Sequence, residues 1–347
     1  MKAGPLAGQE DEMCSRHFAS SVTVALVAVA VLLAFEPAAG QAPARETART
    51  RASNGTPPRT PWGDPDLQGT WTNTTTTPFE RPDAFGGKDV LTDEERADLD
   101  TQAARNADRA PRSGDPGTYN DFWMDRGKRT NQTSLIIDPP DGKLPPLTPQ
   151  AKQLQADLSA VRRGPPSTWQ DVSLFERCLT RSLPGAMIPG FYNHNYQILQ
   201  SPGYVAIVVE MIHDVRIIPT DGRRHVGPAI RQWLGDSRGR WEGNTLVVET
   251  TNVTPGRELR PSRTVLGGTE QLKLVERFTR VDANTIDYRF TVTDPWMFTK
   301  PWTASTPMSK IDIPIYEYAC HEGNYAIANM LRGARQAEQA AGQGGKR

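Results

Sequence analysis

Cysteine and histidine are scarce in this chain, at three and five among 347 residues, and no apolar run reaches the length of a membrane span. The longest, Ser21 to Phe35, has 15 residues, against the roughly 20 that a spanning helix needs. Net charge is absent too, with 40 basic and 40 acidic residues. Removing residues 1–40 takes two basic and four acidic residues and leaves +2, which attracts neither nucleic acid nor an anionic membrane. No Gly-x-Gly-x-x-Gly or Walker loop occurs, which argues against a nucleotide cofactor. The four histidines beyond residue 40 (His194, His213, His225, His321) are spaced by 19, 12 and 96 residues. That spacing matches no zinc or iron ligand motif. A cofactor-free protein is expected, with zinc or iron as the alternative.

What is present begins with a compartment signal. Arg16 and His17 precede the 15-residue apolar run and Ala38-Ala39-Gly40 follows it, the pattern of a secretory signal peptide over residues 1–40. Cleavage is expected near Gln41, with Met1 or Met13 as the start, giving a periplasmic or secreted protein free of the membrane. Cleavage also removes Cys14 and leaves Cys178 and Cys320. In an oxidising compartment these two most simply form a disulfide, a thiol or metal role beside His321 being the alternative.

Residues 41–65 are polar and Pro-rich and predict a disordered linker. Residues 66–175 read as an extended and helical segment. Thr92 and Glu95 form a capping box for a helix to about Asn106, and Thr148-Pro149 opens a second helix ending near Arg163. Residues 176–335 turn to strands, and 336–347 read as a disordered tail. In 285–294, Ile286, Tyr288, Phe290 and Val292 alternate with Asp287, Arg289, Thr291 and Thr293, the signature of a sheet with one packed face. Numerous strands with turns every 8–15 residues predict a mainly β fold, an antiparallel barrel or a sandwich.

Chemistry is expected on Tyr204 to Ile218, β-branched sequence interrupted by charge. In a regular strand, Glu210, Asp214 and Arg216 share one face and His213 takes the other. Three ionisable groups on one face must be paired, hydrated or used. The catalytic candidates are therefore His213, His194, Glu210, Asp214 and Arg216, with a histidine as general base and Arg216 stabilising a developing oxyanion. Alternatively, Arg216 neutralises Glu210 or Asp214 in a structural network. Tyr196, His225, Trp233, Trp241, His321 and Glu322 are candidate ligand contacts, because aromatics with a few polar groups line small-molecule pockets. Gly235-Asp236-Ser237-Arg238-Gly239 matches Gly-x-Ser-x-Gly but lacks the strand–elbow–helix context of a nucleophile, and it reads as a loop bracketed by Trp233 and Trp241. The leading expectation is binding of a small apolar or aromatic molecule. The rival is a cofactor-free lyase, isomerase or hydrolase in the same pocket.

Four segments carry a family likeness: Pro184–Met187, Glu210–Ile218, Gln232–Val248 and Tyr318–Tyr325. With Trp-Leu-Gly-Asp-Ser-Arg-Gly-Arg-Trp-Glu-Gly-Asn-Thr-Leu-Val-Val and Tyr-Ala-Cys-His-Glu-Gly-Asn-Tyr at their centre, they resemble a widespread family of exported bacterial proteins. Asn244 stands where the family form has Asp, at a turn position where the two substitute readily. The resemblance implies export and a single fold over most of residues 62–335, and no particular chemistry. Gly69-Thr70-Trp71 is also similar to the Gly-x-Trp that opens lipocalin-like barrels.

Overall fold

The computed structural model describes residues 58–105, 124–255 and 268–344. Chain contacts divide the protein into Met1–Ala52 and Ser53–Arg347, and every described residue belongs to the second unit. The signal peptide lies outside the described residues.

The fold is mainly β. The described residues form eleven strands: β1 (Gly69–Thr72), β2 (Ile136–Asp138), β3 (Asn195–Ser201), β4 (Tyr204–Val209), β5 (Val215–Pro219), β6 (Asp236–Glu242), β7 (Thr245–Thr251), β8 (Lys273–Arg280), β9 (Thr285–Thr293), β10 (Trp302–Ser305) and β11 (Met308–Ile311). They pair antiparallel in the order β5-β4-β3-β1-β11-β9-β8-β7-β6, with β10 joining β9 to β2. Long β9 is shared, its start pairing with β11 and its end with β10. Because β1 sits between β3 and β11, the extended and helical segment that begins at residue 66 contributes a strand to the sheet.

No ladder joins β5 to β6, so the hydrogen-bonded path is an open sheet rather than a closed barrel. The two edges nevertheless meet. A Cβ on Gly239 of β6 would lie 2.9 Å from Thr220 Cγ2 and 3.0 Å from Ile218 Cγ2. Glycine at 239 therefore lets the side chains of β5 pack against the backbone of β6. The sequence reading took residues 235–239 for a loop, but Asp236–Glu242 form a full strand hairpinned to β7. A glycine among charged residues hides a strand whose packing partner supplies the side chains.

Alternation makes the core. Leu274, Glu276, Phe278 and Arg280 of β8 are buried with Ile286, Tyr288, Phe290 and Val292 of β9, and Phe278 stacks on its cross-strand partner Tyr288 at 4.5 Å. Trp71 is fully buried. Its indole donates to Leu67 O at 3.0 Å, and the Arg280 guanidinium lies 5.5 Å over its ring. Arg280 also donates to Asp66 O, tying the chain entering β1 to the β8–β9 turn.

Three helices flank this sheet among the described residues: α1 (Asp93–Arg105), α2 (Pro149–Arg163) and α3 (Ala326–Gly344). Thr92 and Glu95 cap α1 reciprocally, and Thr148 caps α2 ahead of Pro149. Helix α3 covers residues 336–344 of the stretch expected as a disordered tail over 336–347, with Ala334 buried; the last three residues lie outside the described ones. Part of the expected linker is ordered as well, since Arg59 bridges Pro65 and Thr60 is buried. Cys178 and Cys320 form a disulfide with Cα atoms 5.7 Å apart, joining chain before β3 to irregular chain after β11. Residues 315–320, within the stretch expected to be strand-rich, form no strand. No helix among the described residues is long and apolar enough to cross a membrane.

Candidate functional site

The segment Tyr204 to Ile218 is not one strand. It is a hairpin, β4 against β5, whose turn runs through Glu210–Asp214 with positive φ at Ile212 (66°) and His213 (52°). The turn dissolves the shared charged face, and the three ionisable groups go to three different partners. Glu210, 2 % exposed, accepts from Asn195 Nδ2 at 2.6 Å and from the Tyr316 amide at 3.2 Å. Asp214 accepts from Thr180 Oγ1 at 3.0 Å, and burial raises its pKa against that hydrogen bond and the nearby His213. Arg216 turns into the core and pairs with Glu276 of β8.

That pair is the centre of a buried polar cluster. Arg216 Nη1 donates to Glu276 Oε1 at 2.9 Å, Nη2 pairs with Oε2, and Tyr288 Oη donates to Oε1 at 2.9 Å. Ser237 Oγ lies 3.5 Å from Arg216 Nη2 and 2.8 Å from Thr250 Oγ1. Burial pulls the Arg216 pKa down, and the Glu276 charge and hydrogen bonds more than restore it. Burial, then the Glu276 charge, holds the Tyr288 phenol well above its usual range. Both groups keep their neutral-pH states. Glu276 had a signal in the sequence that went unread: it occupies a core register position between Leu274 and Phe278.

Beside the cluster, β5 and the chain entering β6 enclose a cleft of about 450 Å³, lined by Val215–Ile217 and Gln232–Ser237. It lies at the opposite end of β5 from the Ile218–Gly239 contact, so the edges pinch at one end and part at the other. Of its apolar members, Val215 is 51 %, Ile217 57 % and Trp233 41 % exposed, while Leu234 is partly buried against the core. Of its polar members, Arg216, Asp236 and Ser237 are buried and Gln232 is exposed. Asp236 is held by Arg238 Nη1 at 2.7 Å and by His225 Nδ1 at 2.8 Å.

Of the sequence candidates, the cleft gathers Arg216 and Trp233, with His225 attached through Asp236. The others lie outside its lining. Tyr196 is a core residue whose hydroxyl donates to Ala186 O at 3.2 Å. Trp241 is half-buried against the core, and His321 and Glu322 are exposed after Cys320. His213 is exposed and bonds the Tyr318 carbonyl at 3.3 Å. His194 is buried, and its Nε2 accepts from Arg181 Nη1 at 2.8 Å, which leaves the proton on Nδ1. Among the described residues neither His194 nor His213 forms an ion pair with a carboxylate. No group of His, Cys, Asp and Glu among the described residues could hold a metal ion. Comparison with models of protein families, with curated proteins and with solved structures finds no match.

The buried pair makes a stability prediction. Glu276→Leu or Arg216→Met alone strands one charge and should cost about 3–5 kcal/mol. The double variant should recover most of that loss, read from urea midpoints. A double variant as unstable as the sum of the singles would show that the two residues act independently.

His194 makes a pH prediction. Burial, then the Arg181 charge, holds its pKa well below 6.5. Below about pH 6.5 the unfolded chain therefore binds a proton that the folded chain refuses. Stability from this site is complete above that pH and falls as pH drops, by up to about 1.4 kcal/mol per unit. Asp214, whose pKa is raised, acts in the opposite sense, so the measurement is a difference between proteins. Chemical denaturation at a series of pH values should give a flatter acid limb for His194→Gln, and parallel limbs would remove His194 from the account.

Proposed function

We propose that this is an exported β protein that binds a small molecule with an apolar or aromatic body in the cleft between β5 and the chain entering β6. The carrying observation is the pairing of exposed Val215, Ile217 and Trp233 with buried Arg216, Asp236 and Ser237 around one cavity. At about 450 Å³ it falls in the ~300–1,000 Å³ range of small-molecule sites. Apolar groups at the opening supply area, and the polar groups within supply orientation. The lipocalin-like reading stands on Gly69-x-Trp71, and family membership on the four motif segments.

A histidine base finds less support at the expected positions. The Nε2 lone pair of His194 is engaged, and His213 bonds only backbone. The His–carboxylate contact that touches the cleft lining is His225–Asp236, so an enzymatic reading rests there.

Purified protein incubated with a metabolite extract, recovered by gel filtration and analysed by mass spectrometry, should retain a compound. Trp233→Ala and Ile217→Ser should each retain about tenfold less, the loss expected from one buried apolar contact. Equal retention by both variants and the wild type would refute the site. Turnover of the compound, lost in His225→Ala with binding kept, would make the protein an enzyme.

Export is proposed on the apolar segment and its flanks, and the Cys178–Cys320 disulfide supports it. N-terminal sequencing of the protein recovered outside the cytoplasm should begin near Gln41. An intact residue 1 or 13 in a membrane fraction would end the idea.

A further inference from the structure

The guanidinium of Arg216 is only partly used. Its two terminal nitrogens are committed to Glu276, but Nε, on the edge it shares with Nη2, is buried and has no hydrogen-bond partner among the described residues. On that edge Nη2 is already 3.5 Å from Ser237 Oγ, and both Arg216 and Ser237 line the cleft. An unmade hydrogen bond on a buried cation is costly. The Ser237 hydroxyl is a second donor, because Thr250 Oγ1 at 2.8 Å can serve as the donor in their contact and free the Ser237 proton.

The charges around these donors decide what kind of acceptor fits. Glu276 cancels Arg216, and Arg238 offsets Asp236. A carboxylate entering the cleft would meet Glu276 and Asp236 with no surplus cation to hold it. A neutral oxygen accepts the same hydrogen bonds without that repulsion.

We propose that the cleft selects a neutral carbonyl compound with an aromatic or apolar body, a ketone, aldehyde, ester or lactone, whose oxygen accepts from Arg216 Nε and Ser237 Oγ while its body packs on Trp233. This rests on the binding reading given above, and it adds the chemical class of the ligand.

Three probes of one shape separate the two ideas: 2-acetylnaphthalene, 2-ethylnaphthalene and 2-naphthoate, titrated into the purified protein by calorimetry. The ketone should bind about tenfold more tightly than the hydrocarbon, the difference of one charge-assisted hydrogen bond, and more tightly than the carboxylate. Ser237→Ala, checked for native circular dichroism, should reduce the ketone's advantage to about threefold and leave the hydrocarbon unchanged. The carbonyl stretch of the bound ketone should move to lower wavenumber and partly return in Ser237→Ala, a readout that a merely structural serine would not move. Trp233→Ala should weaken all three probes. Equal binding of the three in a Trp233-dependent manner would overturn the carbonyl preference and leave the cleft as a binding site. Tightest binding of the carboxylate would overturn the charge argument. Failure of every probe, or binding indifferent to Trp233→Ala, would overturn the binding reading and this inference with it.

Discussion

Arg216 and Glu276, with side chains 1 % and 0 % exposed, meet across the interior between β5, one end of the strand path, and β8, third from the other end. Taking two ions out of water costs several kcal/mol each, which only tight mutual geometry and further hydrogen bonds can offset. Tyr288 supplies one such bond and the Ser237–Thr250 pair extends the network. The arrangement therefore acts as a register lock. A slip of β5 by one residue would turn Arg216 outward and leave Glu276 buried and unpaired. Apolar burial holds the sheet together, and the ion pair specifies which strand faces which.

The cleft lies where the two ends of the strand path meet. Strands β5 and β6 share no ladder, yet Ile218 and Thr220 press against the backbone at Gly239, so the edges approach at one end and part at the other. Trp233 and Leu234 line the cleft together with Val215 and Ile217. Edge strands with exposed apolar residues invite unwanted pairing, and the chain entering β6 partly covers this one. The cavity, its apolar opening and its polar interior all follow from a sheet whose ends meet by side chains instead of hydrogen bonds.

Legibility in the sequence follows the range of the interaction that makes each element. The alternation of β9 and the two capped helices are readable because alternation and capping are local. Strand β6 was not, since Gly239 and its charged neighbours mark a strand only once Ile218 and Thr220 are placed against it. The Glu210–Asp214 turn was hidden for another reason: it takes positive φ at an isoleucine and a histidine, where no Gly or Pro announces a corner. Of the catalytic candidates on that segment, Arg216 alone lines the cleft. Its partner Glu276 was missed although a lone acid at an apolar register position was there to be seen.

The sequence by itself determined the β class and the placement of Arg216 among strand residues, and it made Cys178–Cys320 the simplest pairing beyond residue 40, because periodicity and a count of cysteines need no third dimension. Only the tertiary structure decided that Arg216 answers to Glu276 rather than Glu210 or Asp214, that His194 spends its lone pair on Arg181, and that Ser237 joins a cleft. Each of these joins chain segments through desolvated contacts, and burial, which sets their strength, is a property of the assembled sheet.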